Sequence, residues 1–262
     1  MHAALIGTLM AAVSGTPAPP SCEAVVANPV LTVVFDNRAL AAETTAGWGF
    51  ACLVEGAPTR ILFDTGAEGA VLTANMKALG IDPGSIGAVF ISHAHGDHTG
   101  GLAAVLERNP HVNVFVPASS ARELSAPHLT RLVPIRGAAS ILPGVCSLGE
   151  MGEVIREQSL VVNTERGLVI VTGCAHPGIV SIVERARAEM RREILLILGG
   201  FHLVNASTEE ARRIAGRLRE LGVRHVAPCH CTGPARSVFA EVFGARFIET
   251  GAGTVVRVAD LD

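Results

Sequence analysis

The chain has 262 residues, of which 49% are hydrophobic and 17% charged, with a formal net charge of -3. That length is enough to bury a sizeable core in one large domain, and the absence of a Lys/Arg excess argues against nucleic acid as a partner. Tyrosine is absent, so any chemistry must come from His, Asp, Glu, Cys, Lys, Ser or a metal, and the nine Phe and single Trp read as core residues.

In chain order, residues 3–15 form an apolar run about as long as the core of an export signal, followed by the breaker-rich Thr16-Pro17-Ala18-Pro19-Pro20. Neither a Lys or Arg before the run nor an Ala-x-Ala site after it completes such a signal. Two readings of residues 1–28 therefore stay open: an extension on a cytoplasmic protein, or an export segment. Residues 29–262 read as one domain, with no low-complexity linker. No later apolar run reaches the ~18 residues of an integral membrane span.

Short apolar runs predict strands at Val30 to Phe35, Gly49 to Val54, Arg60 to Phe63, Ala88 to Ile91, Val112 to Val116, Ser159 to Val162, Leu168 to Val171, Ile194 to Leu198, Val223 to Ala227 and Thr254 to Val258. Between them, helical periodicity marks Ala70 to Leu79, Gly101 to Glu107, Ile179 to Met190, Pro234 to Val242 and a segment capped by Ser207 that stops at Gly222. Such alternation indicates an α/β fold of sheets covered by helices. Residues 118–157, broken by Pro127, Pro134 and Pro143, predict only loops and short strands, of the kind that carry specificity on a rigid scaffold.

The densest chemical signal is Ser92-His93-Ala94-His95-Gly96-Asp97-His98-Thr99-Gly100-Gly101, directly after an apolar strand. Imidazole and carboxylate suit borderline divalent metals, and a loop at a strand end can point alternate residues at two ions. These residues resemble, in order, the HxHxDH signature of the metallo-β-lactamase superfamily. Phe63-Asp64-Thr65-Gly66, Val171 to His176 and Pro228-Cys229-His230 resemble the other motifs of that family, so the resemblance runs from about residue 30 to the C-terminus.

The resemblance implies an αββα four-layer sandwich. It places His93, His95 and His176 on one metal and Asp97, His98 and His230 on a second, with Asp64 ordering the metal loop from behind. Two divalent ions per chain are implied, zinc first, with manganese or iron as alternatives. Where most members carry a bridging Asp, this chain reads Gly199-Gly200-Phe201-His202, so His202 is a candidate substitute ligand, and a weaker or missing second metal is the alternative. The wider pattern is similar to a subgroup that includes dihydropterin ribofuranosylaminobenzene phosphate synthase-like hydrolases. It implies a metal-dependent hydrolase that attacks a small anionic, phosphate- or pterin-containing substrate with metal-activated hydroxide. Asp97 would orient or deprotonate the water. Two alternatives remain open: an iron-dependent oxidoreductase on the same fold, and a ligand-binding protein without catalysis.

Six cysteines are too few for a disulfide scaffold, and Cys174, Cys229 and Cys231 lie within two residues of a candidate ligand His, which points to reduced thiols. Burial as small hydrophobes is their expected use, with soft ligation or redox chemistry the alternative. Asp36-Asn37 reads as a turn pair at a strand end, with hydrogen bonding at the site as the alternative. His2, His111, His128 and His225 fall outside the motifs. Pro177-Gly178 opens a helix whose free N–H groups suit an anionic substrate group.

Overall fold

A computed structural model describes residues 22–125 and 131–262. The apolar run at 3–15, His2 and His128 lie outside the described residues. The strands are β1 (Val30–Phe35), β2 (Ala51–Glu55), β3 (Arg60–Phe63), β4 (Ile86–Phe90), β5 (Asn113–Pro117), β6 (Leu132–Ile135), β7 (Ala139–Leu142), β8 (Val145–Ser147), β9 (Leu160–Thr164), β10 (Gly167–Thr172), β11 (Ile194–Gly200), β12 (His225–Cys229) and β13 (Val255–Arg257). Helices are α1 (Gly69–Ala78), α2 (Gly96–Thr99), α3 (Leu102–Arg108), α4 (Ile179–Met190), α5 (Thr208–Glu220) and α6 (Arg236–Phe243). Every expected strand and helix forms, with ends shifted by at most two residues.

One sheet has seven strands in the order β13-β1-β2-β3-β4-β5-β6, the other six in the order β12-β11-β10-β9-β8-β7. Period-two alternation divides each strand between two apolar layers. Leu31, Val33, Val169 and Val171 meet between the sheets. On the opposite faces, Val34 and Val89 pack under α1 and α3, and Leu168 and Ile170 under α4, α5 and α6. Strands buried on both faces, such as β10 and β11, therefore read as nearly continuous apolar runs. The outcome is the expected αββα sandwich.

Ser207 caps α5 as expected, its hydroxyl accepting from the Glu210 N–H at 3.1 Å. The cysteine count suggests no pairing, yet Cys22 and Cys146 form a disulfide, while Cys52, Cys174, Cys229 and Cys231 are free and buried. Residues 22–28 pack beside β9: the Val26 N–H donates to Asn163 O, and Asn163 Nδ2 donates to the Cys22 and Ala24 carbonyls. Among the described residues, no helix is long and apolar enough to cross a membrane.

Candidate metal centre

β1, β3, β4, β10, β11 and β12 all end at the same rim of the sandwich, and the residues just after each end form the site. Backbone strain concentrates there. Six non-glycine residues among those described have positive φ, and four of them are Asp64, Ala175, His202 and His230.

The loop after β4 is held from behind by Asp64. Its carboxylate accepts from the Ser92 N–H and the Ser92 hydroxyl, each at 2.7 Å, and faces His98 Nδ1 at 2.7 Å. Burial pushes the Asp64 carboxyl well up and the His98 imidazole down to about 4. His98 Nε2 is left facing the site. Gly173 must lack a side chain here, because a Cβ would lie 2.1 Å from Ser92 Oγ and 3.2 Å from Asp64 Oδ2.

The same device repeats at each buried imidazole. His93 Nδ1 meets Ser92 Oγ at 2.9 Å, leaving Nε2 3.1 Å from His95 Nδ1. His176 Nδ1 meets Glu157 Oε2 at 2.8 Å. His230 Nδ1 donates to Asn37 Oδ1 at 2.9 Å, while Asn37 Nδ2 donates to the His230 carbonyl at 3.2 Å and so fixes the amide orientation. His230 Nε2 is buried with no aligned hydrogen bond, although Asp97 Oδ2 lies 3.2 Å away. A buried imidazole nitrogen with its lone pair aimed at a carboxylate is unfavourable unless a cation sits between them. The donor set thus fits divalent metal.

Three groups of convergent donors result among the described residues, each with ligand atoms within 4.8 Å of one another: Asp97, His98, Cys174 and His230; His93, Cys174 and His176; and Cys174, His202 and Cys231. His95 is exposed and joins the second group through its 3.1 Å contact with His93. His202 is also exposed; its ring centroid is 4.5 Å from that of His176, and it groups instead with Cys174 and Cys231. Burial raises the Asp97 pKa, but the close approach of the His230 and His98 rings outweighs it and holds the carboxyl below the usual range. The Cys231 thiol is held down to about 5 by its hydrogen bond with Cys174, against burial, and Cys174 is raised by the same bond.

Four further residues shape the site beyond the motif positions. Glu157, fully buried ahead of β9, accepts from the Cys174 and Ala175 N–H groups through Oε1 and from the His176 N–H through Oε2. Burial would raise it, yet the His176 hydrogen bond, the nearby His93 ring and those N–H groups bring it to about 2. Asp36 and Asn37 are more than a turn: Asp36 Oδ1 accepts from the His230 N–H at 2.7 Å. Trp48 is not in the core. It is 56% exposed, with its ring 5.0 Å from that of His230, because Gly47-Trp48-Gly49 precedes β2 at the site mouth. Only Asp36-Asn37, polar residues ending an apolar strand, carried a sequence signal.

These shifts set the acid stability of the metal-free protein. His93 and His98, lowered from 6.5 to about 2 and about 4, stay neutral when folded but take up protons when unfolded. Stability therefore falls as pH drops below 6.5, each unmatched proton contributing about 1.4 kcal/mol per pH unit. Glu157 adds to the loss below 4.5, while Asp36 and Asp64, raised by burial, oppose it from 3.8 upward, Asp64 over the wider range, and so reduce the decline without cancelling both histidines. Urea titrations of chelator-treated protein at pH 7.5, 6 and 5 should show this decline; a flat profile would contradict it.

Comparison with known proteins identifies the family and the fold. The model of the metallo-beta-lactamase superfamily matches residues 46–230. A 7,8-dihydropterin-6-methyl-4-(beta-D-ribofuranosyl)-aminobenzene-5'-phosphate synthase from Methanocaldococcus jannaschii is 31% identical, covering 80% of this chain and 89% of its own length. The crystal structure of a metal-dependent hydrolase of the beta-lactamase superfamily is 29% identical, with a TM-score of 0.73 over 87% of this chain and 98% of that one. The metallo-beta-lactamase fold protein YhfI from Bacillus subtilis, 15% identical with a TM-score of 0.63 over 87% of this chain and 99% of its own, shares the fold. The chain belongs to the metallo-beta-lactamase superfamily.

Proposed function

We propose that this protein is a metal-dependent hydrolase that uses two divalent ions, zinc first, on a small anionic substrate. The observation that carries the reading is the tautomer control described above: His93, His98, His176 and His230 each have one ring nitrogen engaged by a polar partner, and the other turned toward Asp97 and Cys174. A bound divalent ion supplies Lewis acidity and makes water acidic enough to act as a nucleophile near neutral pH. Asp97, ionised and half-buried at the centre, orients the attacking water by accepting its hydrogen bond. The buried histidines exclude bulk water from one side.

A groove of about 750 Å³ opens beside the centre, lined by His176 and His202 at one end, by Ile179, Leu203 and Ile214 along its wall, and by Arg213. Its volume suits a small metabolite. Arg212 and Arg217 are engaged by Glu241, Glu184 and Glu220 at 3.2 Å or less, whereas Arg213 reaches Glu210 only at 4.0 Å. Arg213 is therefore the guanidinium placed to hold an anionic group of the substrate, and the name of the Methanocaldococcus relative supports a phosphate- or pterin-bearing class. Turnover of a panel of phosphate esters, lactones and thioesters by zinc- and manganese-loaded protein tests the reaction; no turnover across the panel would count against it. With the substrate so found, Arg213→Ala should raise KM about tenfold and leave kcat within about twofold. An unchanged KM would remove Arg213 from recognition.

A further inference from the structure

The first two donor groups of the metal centre have one residue in common, and it is not one of the motif histidines. Cys174 belongs both with Asp97, His98 and His230 and with His93 and His176. Its Sγ is 3.2 Å from His98 Nε2. That is close to the roughly 3.5 Å separating nitrogen and sulfur donors on one tetrahedral ion with bonds of about 2.1 and 2.3 Å. No carboxylate stands at the end of β11, where the chain reads Gly199-Gly200-Phe201-His202, and His202 is exposed and meets Cys174 only in a third group, with Cys231. A ligand common to two ions must therefore come from another strand end.

The turn after β10 presents Cys174 rigidly. The residue is 4% exposed, its N–H is tied to Glu157 Oε1 at 3.0 Å, and the following Ala175 is held at φ 60. Cys231 stands behind it, its Sγ 3.6 Å from the Cys174 carbonyl and accepting from the His202 N–H at 3.3 Å.

We propose that the Cys174 sulfur is the ligand shared by the two metal positions, taking the place of the missing bridging carboxylate. The inference rests on the dinuclear reading above. A thiolate restores the negative charge that a neutral imidazole at His202 does not supply, and a sulfur bound to a divalent cation loses its proton outright. Its softness favours zinc, cobalt or iron over manganese or magnesium, so the shared sulfur also sets which metals load the site.

Cobalt(II) is the probe, read by absorption and by metal counting rather than by activity. Wild-type protein loaded with cobalt should hold two ions and show a near-ultraviolet sulfur-to-cobalt charge-transfer band. Cys231→Ser should keep both, and Cys174→Ser should lose the band and bind the second cobalt at least tenfold more weakly. Cys174→Asp, with a carboxylate at the shared position, should recover two cobalt ions without the band, which separates ligand loss from misfolding. Two bound cobalt ions with no band in the wild type, or a band lost in Cys231→Ser and kept in Cys174→Ser, would overturn the proposal and leave the dinuclear reading standing. Wild-type protein that binds no cobalt would overturn both.

Discussion

Asp97→Ala should lower kcat on the identified substrate by about 10²- to 10⁴-fold, the range expected when a group that positions or deprotonates the nucleophile is lost. The carboxylate lies 3.2 Å from His230 Nε2 and 3.8 Å from His98 Nε2, and its pKa is held below the usual range. Its removal takes away the one negative side chain in that donor group apart from the thiol. Asp97→Asn keeps the shape and loses the charge, so it should fall nearly as far. A strongly depressed pKa makes Asp97 a weak proton acceptor, so its role is orientation rather than base catalysis. Steady-state kinetics at matched metal content checks this, and near-wild-type turnover in either variant would contradict the assignment.

The second large effect is expected at Glu157. Its carboxylate satisfies three consecutive buried N–H groups and the Nδ1 of His176, so Glu157→Ala orphans them all. Unpaired buried donors of this kind cost about 1 to 3 kcal/mol each, and relaxation of the turn makes a total loss of about 3 to 5 kcal/mol the expected outcome. Glu157→Gln keeps one acceptor oxygen and should cost less stability. Its amide N–H₂ now faces His176 Nδ1, however, and draws that ring into the tautomer with its proton on Nε2, opposing metal ligation. Metal affinity should then fall about 10- to 100-fold. Denaturant unfolding and competition with a chelator separate the two effects; if Gln and Ala lower both quantities equally, the tautomer argument fails.

The sandwich was legible because its strands are buried on both faces, which leaves long apolar runs that only a doubly covered sheet explains. The centre was legible where its donors are contiguous, from His93 to His98. It was not legible where the fold joins distant strand ends. Asn37 holds His230 across 193 residues, and His98 meets Cys174 across 76, neither of which leaves a local pattern. Cys174 and Cys231 are buried, as small apolar residues are, but they face polar neighbours that no periodicity announces. Strands β6, β7 and β8 were expected only as short strands without bounds, for a different reason: they have four, four and three residues, lie at or next to the sheet edges, and one of them contains Pro134. Trp48 misled because a large aromatic residue between two glycines reads as core, whereas it stands at the mouth of the site beside His230.

The central claim is that these strand ends hold two metal ions on donors whose tautomers the fold has already set. Metal content per chain, measured by mass spectrometry on protein isolated anaerobically without chelator, tests it most directly when wild type is compared with His93→Ala and His230→Ala. Two divalent ions are expected in the wild type, with a loss of about one in each variant. A wild type carrying no metal, or a single iron that neither substitution displaces, would contradict it.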